Sequence, residues 1–136
     1  MPRAFKHKPT DFELAILTVI WDRKTATVRE VFEALKPSYP DLIATTVHKI
    51  MALMIDKGFL AVLPDRRPFV FSAVLRRTKV QRNLLTELVE RAFSGSPLNL
   101  IMQALSSKKT SREDLAKIRK MIEKAEQEEK QKDDEK

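Results

Sequence analysis

The strongest constraint on this chain is the order in which its apolar periodicities change. Three segments with helical spacing come first, two short β-prone runs around a proline-rich turn follow, and the rest is helical again. Thr10-Asp11-Phe12-Glu13 fits a capping box, with Thr10 as the cap and Glu13 reaching back three residues. Behind it Phe12, Ala15, Ile16, Val19 and Ile20 form a stripe, which Leu14, Leu17 and Trp21 widen until the helix is apolar on most sides. A second box, Thr27-Val28-Arg29-Glu30, opens a short helix with Val28, Val31, Phe32 and Leu35 inward, and Pro37 ends it. Residues 36–42 hold two prolines and form a loop.

The spacing predicts a third helix over residues 45–57, where Val47, Ile50, Met51 and Met54 fall on one face and Gly58 supplies a left-handed C-cap. The opposite face shows Thr45, Thr46, His48, Lys49 and Ala52, with no carboxylate until Asp56. An ordinary solvated face mixes both signs, so this bias is informative. Residues 59–63 and 69–73 are β-prone and flank Pro64-Asp65-Arg66-Arg67-Pro68, which predicts a hairpin with two arginines at its tip. Three helices and then a hairpin are the order of a winged helix-turn-helix. The predicted class is mainly α (α+β), with this unit over residues 1–75.

The remainder reads as three helices. Leu84, Leu85, Leu88, Val89 and Phe93 mark the first, Ser94-Gly95-Ser96-Pro97 breaks it, and Leu98, Ile101 and Leu105 mark the second. Thr110-Ser111-Arg112-Glu113 starts the last, whose stripe is Leu115, Ile118, Met121 and Ile122. A piece of about 50 residues buries too little surface to stand alone. Residues 76–125 are therefore predicted to dimerise with a second copy through Leu84, Leu88, Phe93, Leu98, Ile101, Leu105, Leu115, Ile118 and Ile122. The alternative is that these stripes pack back on the N-terminal domain of the same chain.

Charge sharpens the reading. There are 26 Lys and Arg against 19 Asp and Glu, a formal net charge of +7. Residues 126–136 hold six acids and three lysines without one apolar side chain, so they form a fraying helix end or a disordered tail, and the body without them carries +10. That surplus points to a polyanion, most simply nucleic acid. The densest basic run is Arg76-Arg77-x-Lys79-x-x-Arg82, and Arg3, Lys6, His7 and Lys8 form a basic N-terminal arm.

Other chemistries find little to work with. Without cysteine there is no disulfide scaffold, thiolate zinc finger or iron–sulfur site. His7 and His48 stand far apart, so no metal site and no cofactor is expected, and two glycines cannot build a glycine-rich phosphate loop. No apolar run approaches the roughly 20 residues of a membrane span, and nothing after the N-terminal charges resembles a signal peptide. A cytoplasmic, non-enzymatic protein without membrane insertion is expected.

A helix that enters the major groove must be slim and rich in donors. Threonine hydroxyls can donate or accept at base edges, and His48 and Lys49 can reach purine acceptors or phosphates. The candidate DNA-binding set is Thr45, Thr46, His48 and Lys49 on the third helix, Arg66 and Arg67 on the hairpin, and Arg29 on the second helix. The rival readings are a winged-helix adaptor that docks an acidic protein, and an RNA-binding factor, which lacks an aromatic stacking platform here.

With these elements placed, the sequence resembles the penicillinase-repressor (BlaI/MecI) family of bacterial transcriptional regulators. The resemblance rests on residues 9–17 leading to Trp21, Ala26-Thr27-Val28-Arg29-Glu30-Val31, Thr46-Val47, Lys57-Gly58-Phe59-Leu60, Arg67-Pro68-Phe69-Val70-Phe71, Phe93-Ser94-Gly95-Ser96 and Ser111-Arg112-Glu113-Asp114-Leu115. It implies a dimeric repressor on a palindromic operator, often governing β-lactam-type resistance, and released when a membrane sensor-protease triggers cleavage in the dimerisation domain. It places Thr46 at a base-reading threonine, His48 and Lys49 at neighbouring groove positions and Arg67 at the wing arginine. Ile43 replaces a usual capping serine, Leu53 a usual arginine and Arg66 a wing glycine. The Asn-Phe cleavage pair of staphylococcal members aligns with Gln103-Ala104, so that cleavage rule does not carry over.

Overall fold

A computed structural model describes residues 8–107 and 109–135. Arg3, Lys6 and His7 of the basic arm lie outside the described residues. In chain order these residues form α1 (Asp11–Arg23), β1 (Thr25–Thr27), α2 (Val28–Leu35), α3 (Ala44–Asp56), β2 (Leu60–Leu63), β3 (Val70–Ala73), α4 (Arg77–Ala92), α5 (Pro97–Ser107) and α6 (Arg112–Asp134). Mainly helical architecture with one small antiparallel sheet matches the predicted class. The chain divides into two compact units, Met1–Leu85 and Thr86–Lys136.

Local hydrogen bonds set the helix ends in the first unit. Thr10 Oγ1 accepts from the Glu13 amide at 3.2 Å, and Glu13 Oε1 accepts from the Thr10 amide at 2.9 Å. Thr27 and Glu30 repeat this reciprocal box at the start of α2, at 3.1 and 2.8 Å. At the end of α3, Gly58 adopts φ +81°. Its amide donates to the Ile55 carbonyl at 3.0 Å, and the Phe59 amide donates to the Met54 carbonyl at 2.8 Å. That is a Schellman closure, which needs a residue free to enter the left-handed region.

The sheet has strand order β1-β3-β2, all antiparallel. β2 and β3 are the anticipated hairpin, closing at Leu63 opposite Val70. β1 is an addition the periodicity did not reveal, because three residues carry no readable alternation. Its central Ala26 stands opposite Phe71 and is 1% exposed, which ties the α1–α2 connection to the wing.

The inner faces of α1, α2 and α3 meet over the sheet. Ile16, Leu17, Ile20, Val31, Val47, Met51, Met54 and Phe59 are all fully buried. Burial of a large apolar side chain contributes on the order of 1.5–3 kcal/mol, so these residues dominate the stability of the unit. The start of α4 belongs to the same unit. Arg77 donates to Asp22 Oδ1 at 2.7 Å and lies 5.6 Å from the Trp21 ring, while Trp21 Nε1 donates to the Leu75 carbonyl at 2.9 Å.

The second unit is built differently. Ser96 Oγ accepts from the Asn99 amide at 3.2 Å, and Pro97 opens α5, where its missing N–H costs nothing. Ser111 caps α6 by accepting from the Asp114 amide at 3.0 Å. Neither α5 nor α6 has a buried residue. Residues 126–134 are helical as the last turns of α6, the helix-end alternative of the two readings of the tail. Glu, Gln and Lys are strong helix formers, and the segment needs no core to continue a helix already capped upstream.

Candidate nucleic-acid interface

α3 presents two opposed faces. Val47, Met51 and Met54 are fully buried, while Thr45, Thr46, His48, Lys49 and Ala52 are exposed. The helix has no acidic residue in its first turn, and its outer face is neutral or cationic until Asp56. Slim hydroxyls and two nitrogen donors therefore project from one rigid element. Ile43 is the N-cap but makes no side-chain cap bond, so the first turn of α3 lacks the hydroxyl acceptor that α1 and α2 both have. The exposed Leu53 extends the outer face with an apolar side chain.

The hairpin tip spans residues 64–69, with Asp65 in the left-handed region at φ +61°. Arg66 and Arg67 are both exposed there. The Arg67 guanidinium lies 4.8 Å from the Phe69 ring centroid. This cation–π contact gives the arginine a fixed base, and the sequence reading did not anticipate it. Phe69 itself remains 50% exposed.

Arg29 is in the first turn of α2 and makes an exposed i,i+4 ion pair with Glu33 at 3.4 Å. A cleft of about 300 Å³ brings α2, α3 and the wing together, with Arg29, Phe32, His48, Pro68 and Phe69 among its walls. Arg29, His48 and the wing base therefore share one surface of the first unit. Among the described residues, no group of three or more His, Cys, Asp or Glu could hold a metal ion.

Glu13 is 3% exposed and accepts from Lys57 Nζ at 2.7 Å. Burial pushes its carboxyl up, but the Lys57 ammonium and the Thr10 amide outweigh burial and hold it below the usual carboxylate range. The pair fastens the C-terminus of α3 to the N-terminus of α1, and so fixes the helix that presents the threonines. It escaped the sequence reading because 44 residues separate the partners.

The penicillinase repressor family model matches residues 9–124. The chain belongs to the penicillinase repressor family. Within that family it is a DNA-binding transcriptional repressor and not an enzyme. Its fold is that of winged-helix regulators. It is similar to a MarR family protein from Bacillus stearothermophilus at 18% identity, over 94% of this chain and 80% of that one, with a TM-score of 0.50. A structure of GAS PerR-Zn-Zn is 17% identical over 53% of this chain, with a TM-score of 0.43, and this chain spans 48% of it. No curated protein matches the chain. Among the described residues, no helix of this family member is long and apolar enough to cross a membrane.

Proposed function

We propose that the chain acts as a homodimer that represses transcription from a palindromic operator, with α3 as the recognition helix. The observation that carries this reading is the division of α3, whose apolar residues are buried while Thr45, Thr46, His48 and Lys49 stand exposed without a neighbouring acid. In this assignment Thr46 and Lys49 read base edges, Arg66 and Arg67 grip phosphate from the wing, and Arg29 adds a phosphate contact from α2.

Exposure in the second unit supports the dimer. Leu88, Leu98, Ile101, Leu105, Leu115 and Ile122 are each at least 42% exposed. Phe93 and Ile118 are half-buried, as is Leu84 just before the unit begins. Stripes of this size left open to water call for a second apolar surface. The reading assigns DNA binding to residues 1–75 and dimerisation to residues 76–125, whereas the compact units divide after Leu85, because the start of α4 is tied to Trp21 and Asp22 through Arg77.

Control of β-lactam-type resistance, with release by a membrane sensor-protease, is the regulatory setting that family membership suggests. Gln103-Ala104, at the aligned cleavage position, lies within α5, so cleavage there requires local unwinding.

The test is a titration of the full chain against an inverted repeat from upstream of its own gene and against random duplex. Tighter binding to the repeat is expected. A dimer making on the order of 6–10 phosphate contacts should also lose affinity steeply with salt. A chain that ignores duplex DNA at physiological salt would overturn the reading in favour of a protein adaptor, and one that sediments as a monomer when bound to DNA would overturn the homodimer.

A further inference from the structure

We propose that the cleft between α2, α3 and the wing is a binding site for a small aromatic monocarboxylate, and that filling it excludes DNA from α3. The second half of this statement rests on the DNA reading above; the first half does not.

The cleft encloses about 300 Å³, the lower end of the range for small-molecule sites. Its walls are largely apolar and aromatic, with Val28, Phe32, Pro68 and Phe69 contributed by α2 and the wing. Its polar side chains are Thr27, whose hydroxyl already accepts from the Glu30 amide, Arg29 and His48, and no carboxylate lines it. This is the pattern of a site that takes a flat apolar body and one negative group. Arg29 already meets Glu33 at 3.4 Å, but both side chains are well exposed, so that pair is weak and yields readily to a carboxylate held beside it. Half-exposed Phe69 offers a face on which an aromatic ring can stack.

The position of the cleft gives occupancy a consequence. His48 belongs to the outer face of α3, and Phe69 supports Arg67. A ligand seated between them occupies the space between recognition helix and wing, and adds negative charge where a phosphate would approach.

The probe is naphthoate, with naphthamide as its neutral isostere. Each is titrated calorimetrically into the full-length protein, and duplex binding is then measured by anisotropy with and without saturating naphthoate. Naphthoate should bind saturably at one per chain, and naphthamide at least tenfold more weakly. Arg29→Gln removes the charge and Ala44→Phe fills the cleft, and each should weaken naphthoate at least tenfold. Both positions are exposed, so both variants should fold. Saturating naphthoate should lower duplex affinity at least tenfold in the unaltered protein. No saturable binding, equal binding of acid and amide, or binding unchanged in both variants overturns the site. Naphthoate bound with duplex affinity intact overturns the exclusion. If the acid binds as described but the protein fails to bind duplex even without it, the site stands and the DNA reading falls.

Discussion

The Lys57 ammonium donates to the Glu13 carboxylate at 2.7 Å, joining the C-cap of α3 to the first turn of α1. The same carboxylate closes the Thr10 capping box through its other oxygen. One side chain thus holds two helix ends, and its burial makes the arrangement sensitive to loss of either partner. The sheet adds a second restraint, since the Phe59 carbonyl just beyond α3 accepts from the Val74 amide at 2.8 Å. The face that carries Thr46 and Lys49 is therefore presented by a helix pinned beyond its own hydrogen bonds.

Glu13→Gln should destabilise the first unit by about 1–2 kcal/mol, because Lys57 loses its anionic partner. The pH dependence follows from the direction of the shift. The Glu13 carboxyl sits below its ordinary value when folded, so the unfolded chain takes up the proton first. The contribution of Glu13 is complete above about pH 4.3 and is lost as pH falls through the lower folded value. Thermal melts from pH 7 down to pH 3 should show this loss, and the Gln variant should lack that part of it.

Thr46→Ala and Lys49→Ala should each weaken duplex binding by roughly threefold to tenfold, with melting temperature and dimerisation unchanged. Both side chains are exposed on α3, so neither truncation opens a cavity. Anisotropy titrations beside sedimentation runs check this, and unchanged affinity would remove α3 from the interface.

Phe69→Ala should reproduce part of the effect of Arg67→Ala, although only the arginine carries charge. The ring holds the guanidinium at 4.8 Å, and an exposed contact of this kind contributes about 0.5–1 kcal/mol. In a double-mutant cycle on DNA affinity, the two changes should couple by that amount. Arg67→Ala should also make the salt dependence shallower by about one counterion per chain.

Ile43→Ser should stabilise α3 by about 1 kcal/mol. Ile43 is 58% exposed and has the extended backbone of an N-cap, at φ −119° and ψ 153°, but supplies no acceptor to the first turn. A rise of several degrees in the melting temperature checks it.

Much of the first unit was legible in the sequence because its signals are local. The boxes at Thr10 and Thr27 and the glycine after α3 act over three to five residues. The burial of Val47, Met51 and Met54 on one face follows from helical periodicity. The basic outer face of α3 and the arginine pair on the hairpin are likewise patterns along a single element. What stayed hidden depends on which elements meet. Arg29 and His48 lie on different helices, and only the packing of α2 against α3 and the wing sets them around one cleft.

By itself, then, the sequence determined the element order, the caps and the face of α3 that stays wet, because periodicity and capping chemistry are written within a few residues. Tertiary structure alone decided that Thr25–Thr27 adds a strand beside β3, that Lys57 finds Glu13 and that Arg77 finds Asp22 across 55 residues. The reason is physical: a hydrogen bond within one turn needs only its own segment, whereas a partner many residues away is chosen when the apolar faces close and bring the two backbones together.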